Sequence, residues 1–457
     1  MNEKILSKII SLFFCIFIFT FLYFKNLSLN NTYFDLGIYY NQINYFLNGD
    51  YWVIFFGHFS PYIFFISLFS KIVSIDILLI SINCIIIYIT AEVIFRYYSF
   101  KHQLIFLFFF PIYHVILHDF HIEILIIPIV LLTLINIEEA RYKLAFFISL
   151  LILFLKISLY PSLISLGVYF FIKDKKKYGY FLILISLVII FIYYLFIRNL
   201  FIYSEYDQKL IFSGLNILNK IINTNLIIYI KSFLIGVLSL LFARIAINYS
   251  KIIDKDFWIT ISPIFLYYLL SGNLNYLMPH YHYFYQFIPY LFFFAFLKKI
   301  VLIKQIYVSI LFFIFFSISP LSILYYTDIR DLLSHKSFFD YKNGIEMKKL
   351  ILDHISNNKN NSNISISNSI VFKEYLDFKS VYPFGQDENG YITMPSKIGI
   401  KKFAKYKVDY FIIDKKNNYF LDKKISEQAY IDLINEYKKK YNIIYENSSI
   451  LILQNEL

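Results

Sequence analysis

Apolar residues fill the first 325 positions of the chain in blocks of roughly 15 to 25, separated by short polar segments. A helix needs about 20 such residues to cross a hydrocarbon core about 30 Å thick. The first block lacks a small-residue cleavage site, so we expect it to be retained as a span. The pattern predicts an α-helical polytopic membrane protein with about eleven transmembrane helices, at residues 5–24, 75–95, 103–117, 122–136, 144–155, 158–172, 179–200, 226–247, 257–271, 282–297 and 305–325.

The stretch at residues 144–172 is the ambiguous part of this pattern, because its length of about 29 residues is long for one untilted span and short for two. A single crossing would place the basic run at residues 173–177 outside and would invert every later loop. The charge distribution therefore favours a broken pair of short helices, with Lys156 and Pro161 near the outer turn. Such a break is tolerated where protein or water covers the freed backbone groups.

The composition excludes a water-soluble globular protein, because 59% of the residues are hydrophobic and only 16% are charged. The formal net charge is +12, yet its placement does not indicate nucleic acid. Every short loop on the side of the N-terminus carries Lys or Arg, which is the positive-inside pattern. We therefore expect a protein of the cytoplasmic membrane with a cytoplasmic N-terminus, contacts with membrane lipids and no nucleic-acid partner.

An odd number of spans in the transmembrane domain, residues 1–325, places a long first loop (residues 25–74) and the tail on the outer side. In this loop, residues 36–47 and 61–69 have the apolar spacing of helices at the membrane interface. Both cysteines, Cys15 and Cys84, lie in apolar blocks, so no disulfide is expected in the tail. Residues 326–457 predict a small extracytoplasmic α/β domain, with strands at 364–367, 381–383, 410–413, 441–445 and 450–453 and helices at 370–377 and 427–438.

Four polar clusters lie on the outer side in the predicted topology, at residues 34–37, 57–61, 118–123 and 279–282. Ionisable residues at membrane depth usually face a cavity or a partner. The first is Phe34-Asp35-Leu36-Gly37, just after the first span. Its Asp35 is the candidate catalytic residue, as a general base or a metal ligand. An Asp before an amphipathic helix also caps that helix, for about 1 kcal/mol, so both roles stay open.

The densest cluster is His118-Asp119-Phe120-His121-Ile122-Glu123. Its Asp119, His121 and Glu123 combine carboxylate and imidazole groups, which suit a divalent cation. Their spacing matches no zinc signature, and polar anchoring of a span end explains the same residues. A divalent cation is therefore one candidate cofactor of this cluster, and polar anchoring of the span end is the alternative.

Four further residues are candidates for binding a substrate or a phosphate: His58, Lys156, His280 and His282. Lys156 interrupts an apolar block, where a lysine either extends to the surface or offers a point charge to a phosphate. His280 and His282 lie among tyrosines, so an interfacial aromatic belt is the alternative explanation for this segment. The chain has no P-loop and no GxGxxG motif, which argues against nucleotide hydrolysis as its own reaction.

These clusters, in this order, resemble a family of predicted membrane proteins, number 2079 among the domains of unknown function. That family usually follows its lysine with two acids, whereas Ile157 and Ser158 follow Lys156 here. If those acids are catalytic in relatives, this member is altered or inactive; the pair is equally open to a structural role. The resemblance rests on Phe34-Asp35-Leu36-Gly37, His58-Phe59-Ser60-Pro61, Asp119-Phe120-His121-Ile122-Glu123 and Lys156 with Gly167-Val168-Tyr169.

The family is similar in architecture to membrane glycosyltransferases of the GT-C type, which use polyprenyl-phosphate sugars and keep a catalytic acid in the first external loop. The resemblance implies that Asp35 is that acid and that a polyprenyl-phosphate sugar is the partner, with Lys156 or His58 neutralising the leaving group. One alternative is a transporter or flippase of a lipid-linked or envelope substrate, although no inverted repeat is visible. Another is a non-catalytic envelope assembly protein.

Overall fold

The structure is a computed structural model of the chain, and it is mostly helical with a small sheet near the C-terminus. It describes residues 2–29, 36–49, 51, 54, 60–117, 120–193, 226–247, 255–271, 277–279, 282–297, 303–317, 341–355, 362–367, 370, 380–383, 391–395, 403–415, 419–420, 423–424 and 426–455.

The described helices are α1 (Glu3–Leu27), α2 (Ile38–Leu47), α3 (Tyr62–Ser70), α4 (Ile75–Tyr97), α5 (Phe100–Leu107), α6 (Phe110–Ile116), α7 (Ile126–Glu138), α8 (Tyr142–Leu150), α9 (Tyr160–Ile172), α10 (Lys176–Ile192), α11 (Leu226–Ile247), α12 (Lys255–Ser271), α13 (Ile288–Phe296), α14 (Ile303–Phe316), α15 (Tyr341–Ile355) and α16 (Glu427–Lys440). Three of them, α1, α4 and α11, are long and apolar enough to cross a membrane. The two helices predicted in the first loop are present as α2 and α3.

Prolines divide several of the predicted spans into shorter pieces. The block predicted at 103–117 forms α5 and α6, and Pro111 lies in the first turn of α6. Pro161 and Pro289 likewise lie in the first turns of α9 and α13. Proline fits a first turn, where its missing N–H has no helical partner, and it disrupts a helix interior. The apolar helical architecture is therefore confirmed, whereas the count of eleven spans and the GT-C-like arrangement stay predictions.

The ambiguous stretch breaks where the charge pattern predicts. After α8 the chain makes a 3-10 turn at Leu151–Phe154, leaves the helix at Leu155, and makes a second 3-10 turn at Ile157–Leu159 before α9. Lys156 lies between the two turns with an extended backbone, φ −139° and ψ 141°. Lys156 thus lies in a break between helices rather than within a helix.

The C-terminal sheet has five strands in the order β2-β1-β5-β9-β8. The strand β1 is parallel to β2 and β5, and the hairpin β8–β9 joins antiparallel to β5. The predicted strands of this sheet and the helix at 427–438 are present, while most of the helix predicted at 370–377 lies outside the described residues. The described strands are β1 (Asn363–Ile366), β2 (Ser380–Pro383), β3 (Tyr391–Pro395), β4 (Phe403–Lys407), β5 (Tyr410–Asp414), β6 (Tyr419–Phe420), β7 (Lys423–Lys424), β8 (Asn442–Glu446) and β9 (Ile450–Gln454).

Alternating residues of the sheet face two different apolar clusters. Phe411 and Leu453 lie on the face that packs against α16. Ile412 and Ile452 lie on the opposite face, within one cluster that also includes residues of α15, α2, α3 and the start of α4. The period-2 alternation of a strand produces both faces, because successive side chains point to opposite sides. The tail is thus attached to the helices of the first loop through a shared core.

Helix α15 fixes this attachment at the end of α1. A Cβ atom added at Gly344 would lie 2.3 Å from the carbonyl oxygen of Leu27, so only glycine permits the observed approach. The rings of Phe24 and Tyr341 pack nearby, with centroids 5.1 Å apart. The predicted domain boundary at residues 325 and 326 lies outside the described residues and stays a prediction.

Candidate functional site

A carboxylate, Glu123, lies at the centre of a buried polar cluster between α2, α7 and the break at Lys156. Its Oε1 atom accepts a hydrogen bond from Lys156 Nζ at 2.6 Å, and its Oε2 atom accepts one from the Tyr39 hydroxyl at 3.0 Å. His121 Nδ1 lies 3.8 Å from the same Oε2 atom. The Glu123 side chain is 2% exposed and that of Lys156 is 18% exposed. The carboxylate is therefore enclosed, whereas the lysine side chain is partly exposed.

The local fold explains how these side chains meet. His121 has an extended backbone, with φ −138° and ψ 103°, and the 3-10 turn Ile122–Leu125 follows before α7 begins. This turn carries the buried Glu123 just before the N-terminus of α7. Lys156 comes from the other break, between the 3-10 turns that precede α9. Two interruptions of apolar helices therefore supply the two charges of the pair.

Aromatic residues of the first loop close the cluster. The Tyr39 ring packs edge-on against Phe120, with centroids 4.9 Å apart, and lies 6.0 Å from the ring of Tyr62. The Tyr39 hydroxyl also donates the hydrogen bond to Glu123 described above. A buried charge pair is stable only with such additional hydrogen bonds, because desolvation otherwise outweighs the Coulomb attraction. The first loop thus contributes directly to the cluster.

A cleft with a mostly apolar lining lies beside this cluster, between α1, α2 and α4. It encloses about 20 Å³ and opens to solvent, and its polar lining residues are Asn26, Tyr40, Asp76 and Asn83. The Tyr40 hydroxyl donates a hydrogen bond to Asp76 Oδ1. Phe120 lines the cleft and also packs on Tyr39, so one ring separates the cleft from the buried pair.

The predicted site residues have different outcomes. Lys156, His121 and Glu123 come together, although they were predicted for two different roles. His282 begins a 3-10 turn, and its side chain is outside the description. Four other predicted residues lie outside the described part of the chain: Asp35, His58, Asp119 and His280.

The predicted metal site stays a prediction. In the described ranges, no three His, Cys, Asp or Glu side chains form a group that could hold a metal ion. Asp119 is outside those ranges. Both carboxylate oxygens of Glu123 already accept hydrogen bonds, one of them from a cationic ammonium group.

Residues of the cleft were not found from the sequence, although a signal for two of them exists. Asp76 and Asn83 are seven residues apart in an apolar block, which places them on one face of a helix two turns apart. Tyr39 carried no such signal, because tyrosine is abundant throughout the chain.

The profile of the family described as predicted membrane protein, DUF2079, matches residues 25–337, which is more than half of the chain. The chain belongs to the DUF2079 family. The resemblance expected from the motifs is therefore confirmed, and the matched residues include the buried pair and most of the cleft. No curated protein and no solved structure matches the chain. The DUF2079 description gives a membrane location, and the similarity to GT-C glycosyltransferases stays a prediction.

Proposed function

We propose that this DUF2079 member is a membrane glycosyltransferase that takes a sugar from a polyprenyl-phosphate-linked donor at the outer face of the membrane. The observation that supports it is the buried Glu123–Lys156 pair among apolar helices. A charged residue at membrane depth costs about 2.5 to 3.5 kcal/mol on insertion scales, so such residues usually mark a functional site.

Lys156 is the proposed phosphate-binding group. An ammonium has three N–H donors, and Glu123 takes one of them at 2.6 Å. The Lys156 side chain is 18% exposed, and a phosphate would meet the ammonium at this exposed side. Glu123 holds the lysine and Tyr39 holds Glu123, so both act as positioning residues. This charge would stabilise the phosphate as it leaves the sugar.

Asp35 is the proposed general base. It precedes Leu36, a residue that lines the cleft. In the proposed reaction, Asp35 takes the proton of an acceptor hydroxyl, whose oxygen forms a bond to the anomeric carbon of the donor sugar. The bond between that carbon and the phosphate oxygen breaks, and the electron pair leaves with the lipid phosphate. His58 and the loop histidines are further candidates for contacts to the substrate.

The C-terminal tail supports an external substrate. It shares an apolar cluster with α2 and α3, so it lies against the helices that carry Tyr39 and Tyr62. An α/β module attached there is suited to bind the acceptor beside the proposed site. This arrangement requires a cytoplasmic N-terminus and an extracytoplasmic tail, as the charge pattern predicts.

The test is transfer of radiolabelled sugar from polyprenyl-phosphate hexoses, using membranes from a deletion strain that expresses each variant. Asp35→Asn should abolish transfer while membrane insertion is unchanged. The double variant Glu123→Gln/Lys156→Met removes both charges of the pair without leaving one alone, and should lower transfer by about 10² to 10³-fold.

The matched control is Lys173→Met, because Lys173 forms an ion pair with Glu138 at the same distance of 2.6 Å, away from the cluster. This variant should retain transfer. Unchanged surface glycans in the deletion strain, or full transfer by Asp35→Asn, would contradict the proposal.

A further inference from the structure

We infer that the cleft between α1, α2 and α4 is a binding subsite for the hydroxyl groups of a single sugar ring. The inference rests on the proposed function, since this ring would belong to the donor or to the acceptor. Its evidence is the chemistry of the cleft lining rather than the ion pair described above.

The first observation is the side chain of Asn83. This residue is 1% exposed and lines the cleft, and its Oδ1 atom accepts no hydrogen bond from any described residue. A buried polar atom without a partner is costly, and native proteins retain few of them. A carboxamide offers both donors and an acceptor, and a hydroxyl group can pair with either. Asn83 is therefore a suitable partner for a ligand hydroxyl.

The second observation is the arrangement of the other lining groups. Asp76 and the Tyr40 hydroxyl are already hydrogen-bonded to each other, which orients the carboxylate at the outer end of α4. Asp76 is two helical turns from Asn83, so the two groups can meet hydroxyls at opposite ends of one ring. Phe120 supplies an aromatic wall against which the C–H face of a sugar can pack.

The size of the cleft limits the ligand. Its enclosed volume is only about 20 Å³, the space of one or two water molecules. A hydroxyl group can enter this space, and the sugar ring that carries it would lie at the open side of the cleft. The carboxylate of Asp76 disfavours an anionic sugar, so we assign a neutral or amino sugar to the cleft.

The test uses the full-length protein in lipid nanodiscs and saturation-transfer difference NMR with free glucose, galactose and mannose. A second arm adds the same hexoses linked to polyprenyl phosphate as competitors, which separates a free sugar from a lipid-linked one. At least one hexose should receive saturation from the wild type. Asn83→Leu should weaken its apparent affinity about tenfold, the effect of one lost hydrogen bond in a buried site.

The matched control is Asn136→Leu. Asn136 is also a buried helical asparagine whose Oδ1 atom accepts no hydrogen bond from a described residue, and it does not line the cleft. Folding of each variant is checked by its melting temperature, and Asn83→Ala replaces the leucine variant if that one does not fold.

Saturation that is absent from the wild type in both arms, or equal in Asn83→Leu and the wild type, overturns the inference. The result is distinct from that of the transfer assay. If sugar binding depends on Asn83 but no transfer occurs, the subsite is supported and the proposed reaction is refuted. If transfer occurs and does not depend on Asn83, the proposed reaction is supported and the subsite is refuted.

Discussion

Replacing Lys156 by methionine leaves Glu123, which is 2% exposed, without its cation. Removing one partner of a buried pair costs about 3 to 5 kcal/mol, because the remaining charge stays desolvated. Glu123→Gln should cost less, about 1 to 2 kcal/mol, since a lysine side chain that is 18% exposed can turn its ammonium toward water. The two single variants are thus expected to differ in their free energy of unfolding, and Lys156→Met should be the less stable one.

The double variant Glu123→Gln/Lys156→Met provides the stronger test of this reasoning. Neither charge remains, so its free energy of unfolding should lie within about 1 kcal/mol of the wild type. The coupling energy, which is the sum of the two single losses minus the loss of the double variant, should then be at least about 3 kcal/mol. Tyr39 retains a neutral partner in the glutamine, so its hydroxyl is not left alone.

The assay is unfolding in mixed micelles with increasing SDS, followed by circular dichroism. Lys173→Met is the control, because the Lys173–Glu138 pair has side chains that are 33% and 29% exposed. Such a solvated pair is worth about 0 to 1 kcal/mol. Equal losses for Lys156→Met and Lys173→Met, or a double variant as unstable as Lys156→Met, would refute the account of the buried pair.

Two further predictions concern the tail. Gly344→Val should separate α15 from α1 and increase the rate of trypsin cleavage of the tail. Ile345→Ala, at an exposed position, is the control and should not change this rate. Equal cleavage rates for the two variants would contradict the close approach. Lys415 and Lys438 bind Glu446 and hold the pKa of its carboxyl below the usual range. Because the folded pKa is lower than the unfolded value of about 4.3, the pair stabilises the fold above that pH and this contribution is lost as the pH falls. Glu446→Gln should therefore lower the melting temperature more at pH 7 than at pH 3, and a pH-independent difference would refute this reasoning.

Local features of the fold could be predicted from the sequence. The helix at 36–47 and the hairpin of β8 and β9 have strong periodicity with clear turn residues, and both are present. The break at Lys156 was predicted from charge placement, since only a break keeps the later basic loops on one side. The sequence does not predict helix α15, because its residues are mostly polar and adjoin an Asn- and Ser-rich stretch.

The composition of the buried cluster could not be predicted. Glu123 and Lys156 are 33 residues apart, and periodicity does not encode which helix ends meet. The same limitation applies to Tyr39, which reaches Glu123 from the first loop across 84 residues. A lysine in an apolar block indicates that a partner exists, as expected for intramembrane charges, but the identity of the partner depends on tertiary packing.

Helix α2 carries Tyr39 toward the charged pair and Tyr40 toward Asp76 from adjacent positions, and both tyrosines belong to the apolar cluster that the sheet of the tail completes. A helix of 10 residues shifts its backbone as a unit, so a displacement of α2 moves the positions of both phenols together. A displacement of the tail that reaches α2 through this shared cluster would therefore act on both polar centres at once.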